Sequence, residues 1–327
     1  MSATLASTAR DSSGERTMPV AAGPDWPLDA ALAAWRMEAH FGQVHTPRYR
    51  CRFFVWGHGP PIVFVHGLAD RARSFVPLVA GLRTEFTALA YDLPNGDDGA
   101  ALGRYRHRDY VADLIELLER MRWRQAYLFG SSFGSTIALA ALAAEPGRFP
   151  RALLQGGFAY RPLSRLERGL SQFLRYRRGR LGEMRFRRQL QARLEQRENA
   201  VFRRLGRMDF FHFLAGNSGE VAVAAAARRA LLLDRIDLRP MLPHISQPVM
   251  QIYGECDSLV PPECEQALLD GLPHAGRIVI PECGHYPQYT HTALLTEIVR
   301  QFLTAPPCPG SAECGVIAGA ACPASPA

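Results

Sequence analysis

The fold is decided by the stretch Leu128-Phe129-Gly130-Ser131-Ser132-Phe133-Gly134-Ser135, which follows an apolar run and precedes a segment of small residues. Ser132 stands at the centre of a Gly-x-Ser-x-Gly pattern, between Gly130 and Gly134. A serine at the tip of a tight strand-to-helix turn projects away from the sheet, and the strained turn needs small residues on both sides. The pattern predicts a nucleophile at Ser132. A glycine-rich turn without chemistry is the alternative that this pattern alone leaves open.

Predicted strands and helices alternate around this turn. Strands are predicted at 48–56, 62–65, 85–91, 125–129 and 151–155, and helices at 27–41, 105–122 and 135–144. The wholly apolar run at 62–65 is typical of a sheet that is covered on both faces. The alternation predicts an α/β fold with a mostly parallel, doubly wound central sheet and right-handed crossovers. The acidic residues of the loop at 92–99 are predicted to form a solvated turn.

The alternation stops between residues 160 and 240, which show helical periodicity and runs of charge. It resumes with strands at 248–253 and 277–280 and helices at 264–272 and 291–303. We therefore expect a core of residues 26–159 and 241–304, interrupted by an inserted α-helical, arginine-rich cap at 160–240. Residues 1–25 are predicted to be a disordered lead-in and residues 305–327 a disordered tail.

Composition limits the class of protein. The chain has 327 residues, is 47% hydrophobic, and carries a formal net charge of +7 from basic residues that are all arginine. Its longest apolar stretch, 221–233, contains Arg228 and Arg229 and is shorter than the roughly 18 to 20 residues that cross a bilayer. The first residues lack the apolar region of a signal peptide, so a soluble, cytoplasmic protein is expected. The seven cysteines lack Cys-x-x-Cys pairs, which favours free thiols and predicts neither a metal nor a cofactor.

Partners for a nucleophilic serine follow the last two predicted strands. Such a serine needs a base, an acid that orients the base, and donors for an oxyanion. His285 follows the last strand and Asp257 the strand before it, and the order Ser, Asp, His differs from those of trypsin and subtilisin. Glu255 in place of Asp257 as the acid, and a structural role for His285, are the alternatives.

Four motifs in chain order together resemble the α/β-hydrolase fold superfamily, of the cap-bearing bacterial serine esterase type, over roughly residues 50–304. They are His66-Gly67 as the oxyanion loop, Gly130–Gly134 as the nucleophile elbow, Gly254–Pro261 as the acid loop, and Gly284-His285 as the base. The resemblance implies Ser132 as nucleophile, His285 as general base and then acid, and Asp257 as the carboxylate that fixes the imidazole. It implies backbone N–H groups of Leu68 and Phe133 as the oxyanion hole, with His66 and Gly67 supporting that loop.

The implied function is a serine hydrolase that cleaves a carboxylic ester or thioester through an acyl-serine intermediate. The serine at position 132 excludes the branches of the superfamily that attack with aspartate. The alternatives are a carbon–carbon bond hydrolase with the same triad and a noncatalytic binding protein that kept the fold. The loop that begins at Asp92 departs from the family's usual pattern, which weakens any transfer of specificity.

The cap concentrates positive charge. Residues 161–207 contain fifteen arginines against four glutamates, a local formal charge of +11 in a chain whose total is +7. Three interpretations remain open: a solvated lid, a surface that attracts an anionic or carrier-protein-bound acyl group, and a contact with a membrane or nucleic acid. Nucleic acid is disfavoured, because the aromatic residues between the arginines are equally needed to pack a lid onto the core.

Overall fold

The computed structural model describes residues 26–184, 196–306 and 317–318. Within these residues, a single sheet of nine strands runs in the order β1-β2-β4-β3-β5-β6-β7-β8-β9. The strands are β1 His40–His45, β2 Arg50–Trp56, β3 Pro61–Val65, β4 Thr87–Tyr91, β5 Tyr127–Ser131, β6 Ala152–Gln155, β7 Val249–Gly254, β8 Ala275–Ile280 and β9 Ile317–Ala318. The pairs β1·β2 and β2·β4 are antiparallel and all others are parallel, which confirms the predicted mostly parallel sheet.

Helices cover both faces of the sheet. They are α1 Leu28–Glu38, α2 Val76–Leu82, α3 His107–Arg120, α4 Phe133–Ala144, α5 Arg165–Leu174, α6 Gln196–Arg204, α7 Met208–Gly219, α8 Val223–Leu233, α9 Pro262–Gly271, α10 Pro287–Thr290 and α11 Thr292–Thr304. Short 3₁₀ helices occupy Ala72–Phe75, Leu102–Arg104, Leu181–Glu183 and Arg239–His244. Alternate residues of a strand point to opposite faces, so Val63 packs with α3 and α4 while Ile62 packs with α2 and α11. This two-sided burial confirms the doubly wound arrangement.

Between β6 and β7 the chain leaves the sheet and forms α5 to α8, which we call the cap helices. An isolated antiparallel bridge joins Tyr160 to Asp237 where this excursion begins and ends. On the side toward the core, Phe202 and Phe210 of the cap cluster with Leu28 and Tyr289. A second contact joins Val221 and neighbouring alanines to the loop after β3. The cap helices are thus seated over the carboxyl ends of the central strands.

Three sequence predictions require correction. The helix predicted at 27–41 ends at Glu38, and the chain continues as the edge strand β1. The tail predicted to be disordered contributes Ile317–Ala318, which pair in parallel with β8. Two of the three acids of the loop at 92–99, Asp92 and Asp98, are used inside the fold and only Asp97 is exposed, so the prediction of a solvated turn is wrong for the first two. The whole predicted lead-in at 1–25, and the predicted tail apart from residues 305–306 and 317–318, lie outside the described residues.

Asp92 and Asp98 are drawn inward by local donors. Asp92 accepts from the Arg71 guanidinium at 2.6 Å and from the Ala72 backbone N–H at 2.9 Å. Asp98, only 9% exposed, accepts from the backbone N–H groups of three neighbouring loop residues. Carboxylates that accept from backbone N–H groups stabilise a turn from within. Composition alone does not show whether an acidic residue in a loop binds such groups or water.

No helix in the part of the chain that the structure describes is long and apolar enough to span a membrane. Arg229, expected only to interrupt an apolar run, is fully buried within α8. The four cysteines inside the described ranges, Cys51, Cys256, Cys264 and Cys283, are free thiols. Those ranges also contain no cluster of side chains that could hold a metal ion.

Candidate active site

Ser132 occupies a strained turn between β5 and α4. Its backbone has φ 52° and ψ −117°, a conformation rarely adopted by residues other than glycine. A Cβ atom on Gly134 would lie 2.1 Å from the Val65 carbonyl oxygen, and one on Gly130 would lie 2.8 Å from the Gly134 carbonyl oxygen. Both glycines are therefore required sterically, because α4 begins in contact with the ends of β3 and β5.

Asp257 and His285 meet at the ends of β7 and β8. The imidazole Nδ1 lies 2.7 Å from Asp257 Oδ2, and the two side chains are 4% and 2% exposed, His285 first. The other carboxylate oxygen of Asp257 accepts from the backbone N–H groups of Leu259 and Val260. Glu255, the alternative acid, is turned away and accepts from the Glu282 backbone N–H. The structure therefore brings Asp257, and not Glu255, to the imidazole.

The buried charges around this pair shift their pKa values in opposite directions. Burial alone lowers the pKa of His285, but the charge and hydrogen bond of Asp257, with the charge of Glu198, outweigh burial and raise it. Burial raises the pKa of Asp257, but His285 and the two backbone donors outweigh burial and lower it. The pair thus favours an ionised carboxylate beside an imidazole that holds a proton readily.

Ser132, His285 and the loop after β3 line one cavity, which we call the Ser132 cavity. Its volume is about 320 Å³. Its walls are largely apolar, and polar groups gather at Ser132, His285 and the ion pair between Arg161 and Glu167. The apolar wall residues include Phe158, Leu163, Leu170, Leu214, Leu233, Leu259 and Val260. An enclosed apolar space with a few convergent polar groups is typical of a site for a small organic substrate.

The oxyanion loop predicted at His66-Gly67-Leu68 runs beside the elbow. A Cβ atom on Gly67 would lie 3.5 Å from Ser132 Cβ, and both Gly67 and Leu68 line the Ser132 cavity. Phe133 is the first residue of α4, where backbone N–H groups have no partner within the helix. The loop and the helix start thus both lie beside Ser132, so their backbone N–H groups are candidates for an oxyanion hole.

His66 braces this loop in the neutral state. Its Nε2 accepts from the Leu93 backbone N–H at 2.9 Å, which leaves the proton on Nδ1 to donate to the Gly67 carbonyl oxygen at 2.8 Å. Burial, helped by the Arg229 guanidinium, lowers the pKa of His66 to about 3. This imidazole therefore holds backbone and does not titrate near neutral pH.

Two charged cap residues reach the site without having been predicted. Glu198 of α6, 1% exposed, accepts from the His285 backbone N–H at 2.9 Å and from Ser258 Oγ at 3.2 Å. Arg229 of α8, fully buried, donates to the carbonyl oxygens of Leu68 at 2.7 Å and Pro94 at 2.7 Å. In sequence, Glu198 was only a counter-charge within a basic segment and Arg229 only an interruption, so neither carried a distinguishing signal.

Gly156 is a further site residue that sequence reasoning missed. It follows β6 with φ +52°, and a Cβ atom there would lie 2.6 Å from His285 Cε1. The imidazole therefore packs directly on glycine backbone. The Gly156-Gly157 pair at the end of a predicted strand was the signal that could have found it.

Comparison with known proteins identifies the family of the chain. A model of the alpha/beta hydrolase fold family matches residues 60–292. The chain is 29% identical over 269 residues to the pimeloyl-[acyl-carrier protein] methyl ester esterase of Xanthomonas oryzae pv. oryzae, covering 77% of this chain and 98% of that protein.

Solved structures share the fold. An alpha/beta hydrolase enzyme from a Medee basin deep-sea metagenome library superposes with a TM-score of 0.66 at 19% identity, over 82% of this chain and 99% of that one. An esterase from Exiguobacterium antarcticum gives a TM-score of 0.64 at 18% identity, over 79% and 96% respectively. The family match, which covers most of the chain, confirms the resemblance drawn from the four motifs. The chain therefore belongs to the alpha/beta hydrolase fold family.

Proposed function

We propose that the protein is a serine esterase that hydrolyses a carboxylic ester or thioester through an acyl-serine intermediate, with Ser132, His285 and Asp257 as its triad. The observation that carries this proposal is the 2.7 Å contact between His285 and Asp257 in the cavity that holds the strained Ser132. Because Asp257 engages Nδ1, the remaining nitrogen Nε2 is the one that can take the serine proton.

In this mechanism Ser132 Oγ attacks the acyl carbonyl carbon while its proton passes to His285 Nε2. The carbonyl oxygen becomes an oxyanion, which the backbone N–H groups of Leu68 and Phe133 stabilise. Collapse of the intermediate expels the alcohol or thiol, which takes the proton back from the imidazolium. Water, deprotonated by His285, then attacks the acyl-serine; the second intermediate expels Ser132 Oγ, which takes the proton back from the imidazolium as the acid is released. Loss of one oxyanion donor typically costs about 10²- to 10³-fold in rate.

Labelling with a fluorophosphonate probe tests the nucleophile. Wild-type protein and the Ser131→Ala control should both be labelled at one site, because Ser131 Oγ instead accepts from Gln155 Nε2 at 3.1 Å. Ser132→Ala should not be labelled and should lose at least about 10⁴-fold in esterase rate. Unchanged labelling of Ser132→Ala, or failure of the folded wild type to react, would reject the triad and favour a noncatalytic protein.

We further propose that the acyl group arrives on an acidic carrier protein. The similarity to a pimeloyl-[acyl-carrier protein] methyl ester esterase supports this, as does the excess of arginine in the cap. Of the cap arginines that the structure describes, Arg165, Arg168 and Arg203 are among those exposed at the surface, where an acidic partner can approach them. Electrostatic attraction of an acidic partner weakens as salt is added, whereas a small neutral ester is not attracted in this way.

The rates of a carrier-bound acyl ester and of p-nitrophenyl butyrate, each at low and high salt, test this second proposal. We expect kcat/KM for the carrier-bound ester to fall with salt and that for the small ester to stay constant. Equal salt dependence of both substrates would reject the carrier and leave the esterase chemistry standing.

A further inference from the structure

A second cavity lies beside the cap, away from Ser132, and we call it the arginine groove. Its volume is about 490 Å³. Its walls are the loop 95–103 after β4, the segment 175–180 after α5, and the first half of α8. Five arginines line it: Arg175, Arg177, Arg178, Arg180 and Arg228.

The positive charge of the arginine groove is largely uncompensated. Asp97, the one carboxylate among its lining residues, is engaged by Arg180 at 2.9 Å, which leaves a net formal charge of +4. Among the residues that the structure describes, no carboxylate lies within ion-pair distance of Arg175, Arg177, Arg178 or Arg228. Guanidinium groups that converge without a counter-ion repel one another, so the groove favours an anion.

Stacking on an aromatic ring, not pairing with acids, holds two of these arginines. The guanidinium carbons of Arg175 and Arg228 lie 4.7 and 5.4 Å from the centroid of the Tyr176 ring. Stacking uses the face of a guanidinium group and leaves its N–H edges able to donate. Within the described residues, Arg175 Nε is buried and has no hydrogen-bond partner. This buried Nε faces the protein, so the terminal N–H groups of the guanidinium are the ones that can donate to an anion in the groove.

We propose that the arginine groove binds a phosphate-bearing small molecule. Guanidinium edges match phosphate oxygens in a two-pronged fashion, and the charges of several arginines suit a multiply charged group better than a single carboxylate. The Tyr176 side chain is 70% exposed, so its uncovered surface can contact the organic part of the ligand.

The arginine groove and the Ser132 cavity use different parts of the same helix. Ala224 and Arg228 of α8 line the groove, whereas Ala230 and Leu233 line the Ser132 cavity. A ligand in the groove therefore leaves Ser132 accessible. Binding at the groove does not depend on the proposed esterase function, and the two can be measured separately.

Isothermal titration of the full-length protein with inorganic pyrophosphate, at physiological ionic strength, tests the proposal. The variant is Arg177→Gln with Arg178→Gln, whose side chains are exposed and lie in the groove. The control is Arg108→Gln with Arg124→Gln, which removes the same charge from exposed residues elsewhere. We expect saturable one-to-one binding by the wild type, about tenfold weaker binding by the groove variant, and a change of less than about twofold in the control.

Three results would overturn the proposal. The first is the absence of saturable heat with pyrophosphate, and the second is equal weakening by both double variants, which would make the attraction nonspecific. The third is tighter binding of citrate than of pyrophosphate, which would assign the groove to carboxylates. Fluorophosphonate labelling in the presence of saturating pyrophosphate then shows where the ligand binds. Labelling of Ser132 should be unchanged, whereas protection of Ser132 would place the anion in the Ser132 cavity and would also count against the proposal.

Discussion

Replacing Glu198 with glutamine removes a negative charge next to the proposed catalytic base while keeping the shape of the side chain. The glutamine oxygen can still accept from the His285 backbone N–H, and Ser258 Oγ can turn to accept from the new amide group. A Cβ atom on Gly284 would lie 2.1 Å from Glu198 Oε2, so the carboxylate fills space that the glycine leaves open. The substitution thus tests charge with little change in packing.

The size of the effect follows from the geometry. Glu198 Oε2 lies 2.9 Å from the backbone nitrogen of His285. At a separation on the order of 6 Å, two unit charges interact by about 2.8 kcal/mol at an effective dielectric constant of about 20. Such an energy would change the pKa of His285 by about 2. Burial raises the pKa of Glu198 itself, and we expect the substitution to lower the pKa of His285 and to move the acid limb of the pH profile by roughly one to two pH units.

The sign is fixed by the charge that is lost. Asp257 and Glu198 both raise the pKa of His285, whereas burial and Arg161 lower it. Without Glu198 the pKa of His285 falls, and the acid limb of the pH profile of kcat/KM moves to lower pH. The imidazolium that forms in the transition state loses the same stabilisation, so the plateau rate falls about tenfold for every pH unit by which the acid limb moves. Burial is the main cause that raises the pKa of Glu265 to about 7. Because Glu265 is present in both the variant and the wild type, it does not account for a difference between their pH profiles.

The assay is the pH dependence of p-nitrophenyl butyrate hydrolysis, with Glu263→Gln as the control. Glu263 is exposed on α9, so its loss removes the same charge outside the site. We expect the control to match the wild type in both midpoint and plateau. A variant with a reduced plateau but an unshifted acid limb would show that Glu198 acts only through packing, and the electrostatic reasoning would be wrong.

Three further outcomes follow from the site. Arg229→Met should lower the free energy of unfolding by about 3–5 kcal/mol in urea denaturation, because it leaves several buried carbonyl groups without a donor; a loss below about 1 kcal/mol would contradict this. Gly156→Ala should reduce kcat/KM about 10²-fold by displacing the His285 imidazole, whereas Gly147→Ala, where a Cβ atom meets open space, should not. Proton NMR should show His66, with a pKa lowered to about 3, neutral down to about pH 4. In the unfolded protein this imidazole takes up a proton below its ordinary pKa of about 6.5, whereas in the folded protein it stays neutral. The contribution of His66 to the free energy of unfolding is therefore lost as the pH falls from about 6.5 toward 3. Titration of folded His66 near pH 6.5 would refute its buried, neutral state.

The parts of the fold that could be predicted are those that local sequence patterns specify. The elbow needs glycine on both sides of Ser132 whatever the rest of the chain does, so its spacing could be read directly. The buried parallel strands are short apolar runs that end at turn residues, which makes them visible as well. Strand β1, by contrast, is an exposed edge strand without clear alternation, and it exists because β2 offers a partner for antiparallel pairing. Only the folded sheet supplies that partner.

The site was predictable only where residue type and position both pointed to chemistry. Ser132, Asp257 and His285 each follow a strand, and a parallel sheet gathers the carboxyl ends of its strands at one edge. Glu198 contacts a residue 87 positions away, from a cap helix whose seat depends on aromatic packing against the core. No local pattern specifies such a contact, and the same applies to Arg229, which meets Leu68 across 161 positions.

Glu198 and Arg229 carry opposite charges and lie on opposite sides of the proposed active site. Glu198 lies against the loop of the base, where an imidazolium forms, and Arg229 lies behind the oxyanion loop, where negative charge collects. Neither forms an ion pair among the described residues, although both are buried, so the charge that each carries acts mainly on its own side of the site. A cap that only covered the cavity would need apolar residues at these positions, which would avoid the cost of burying charge. The cap therefore contributes to the electrostatics of the site as well as to its walls, and catalysis should require that α6 and α8 are seated on the core.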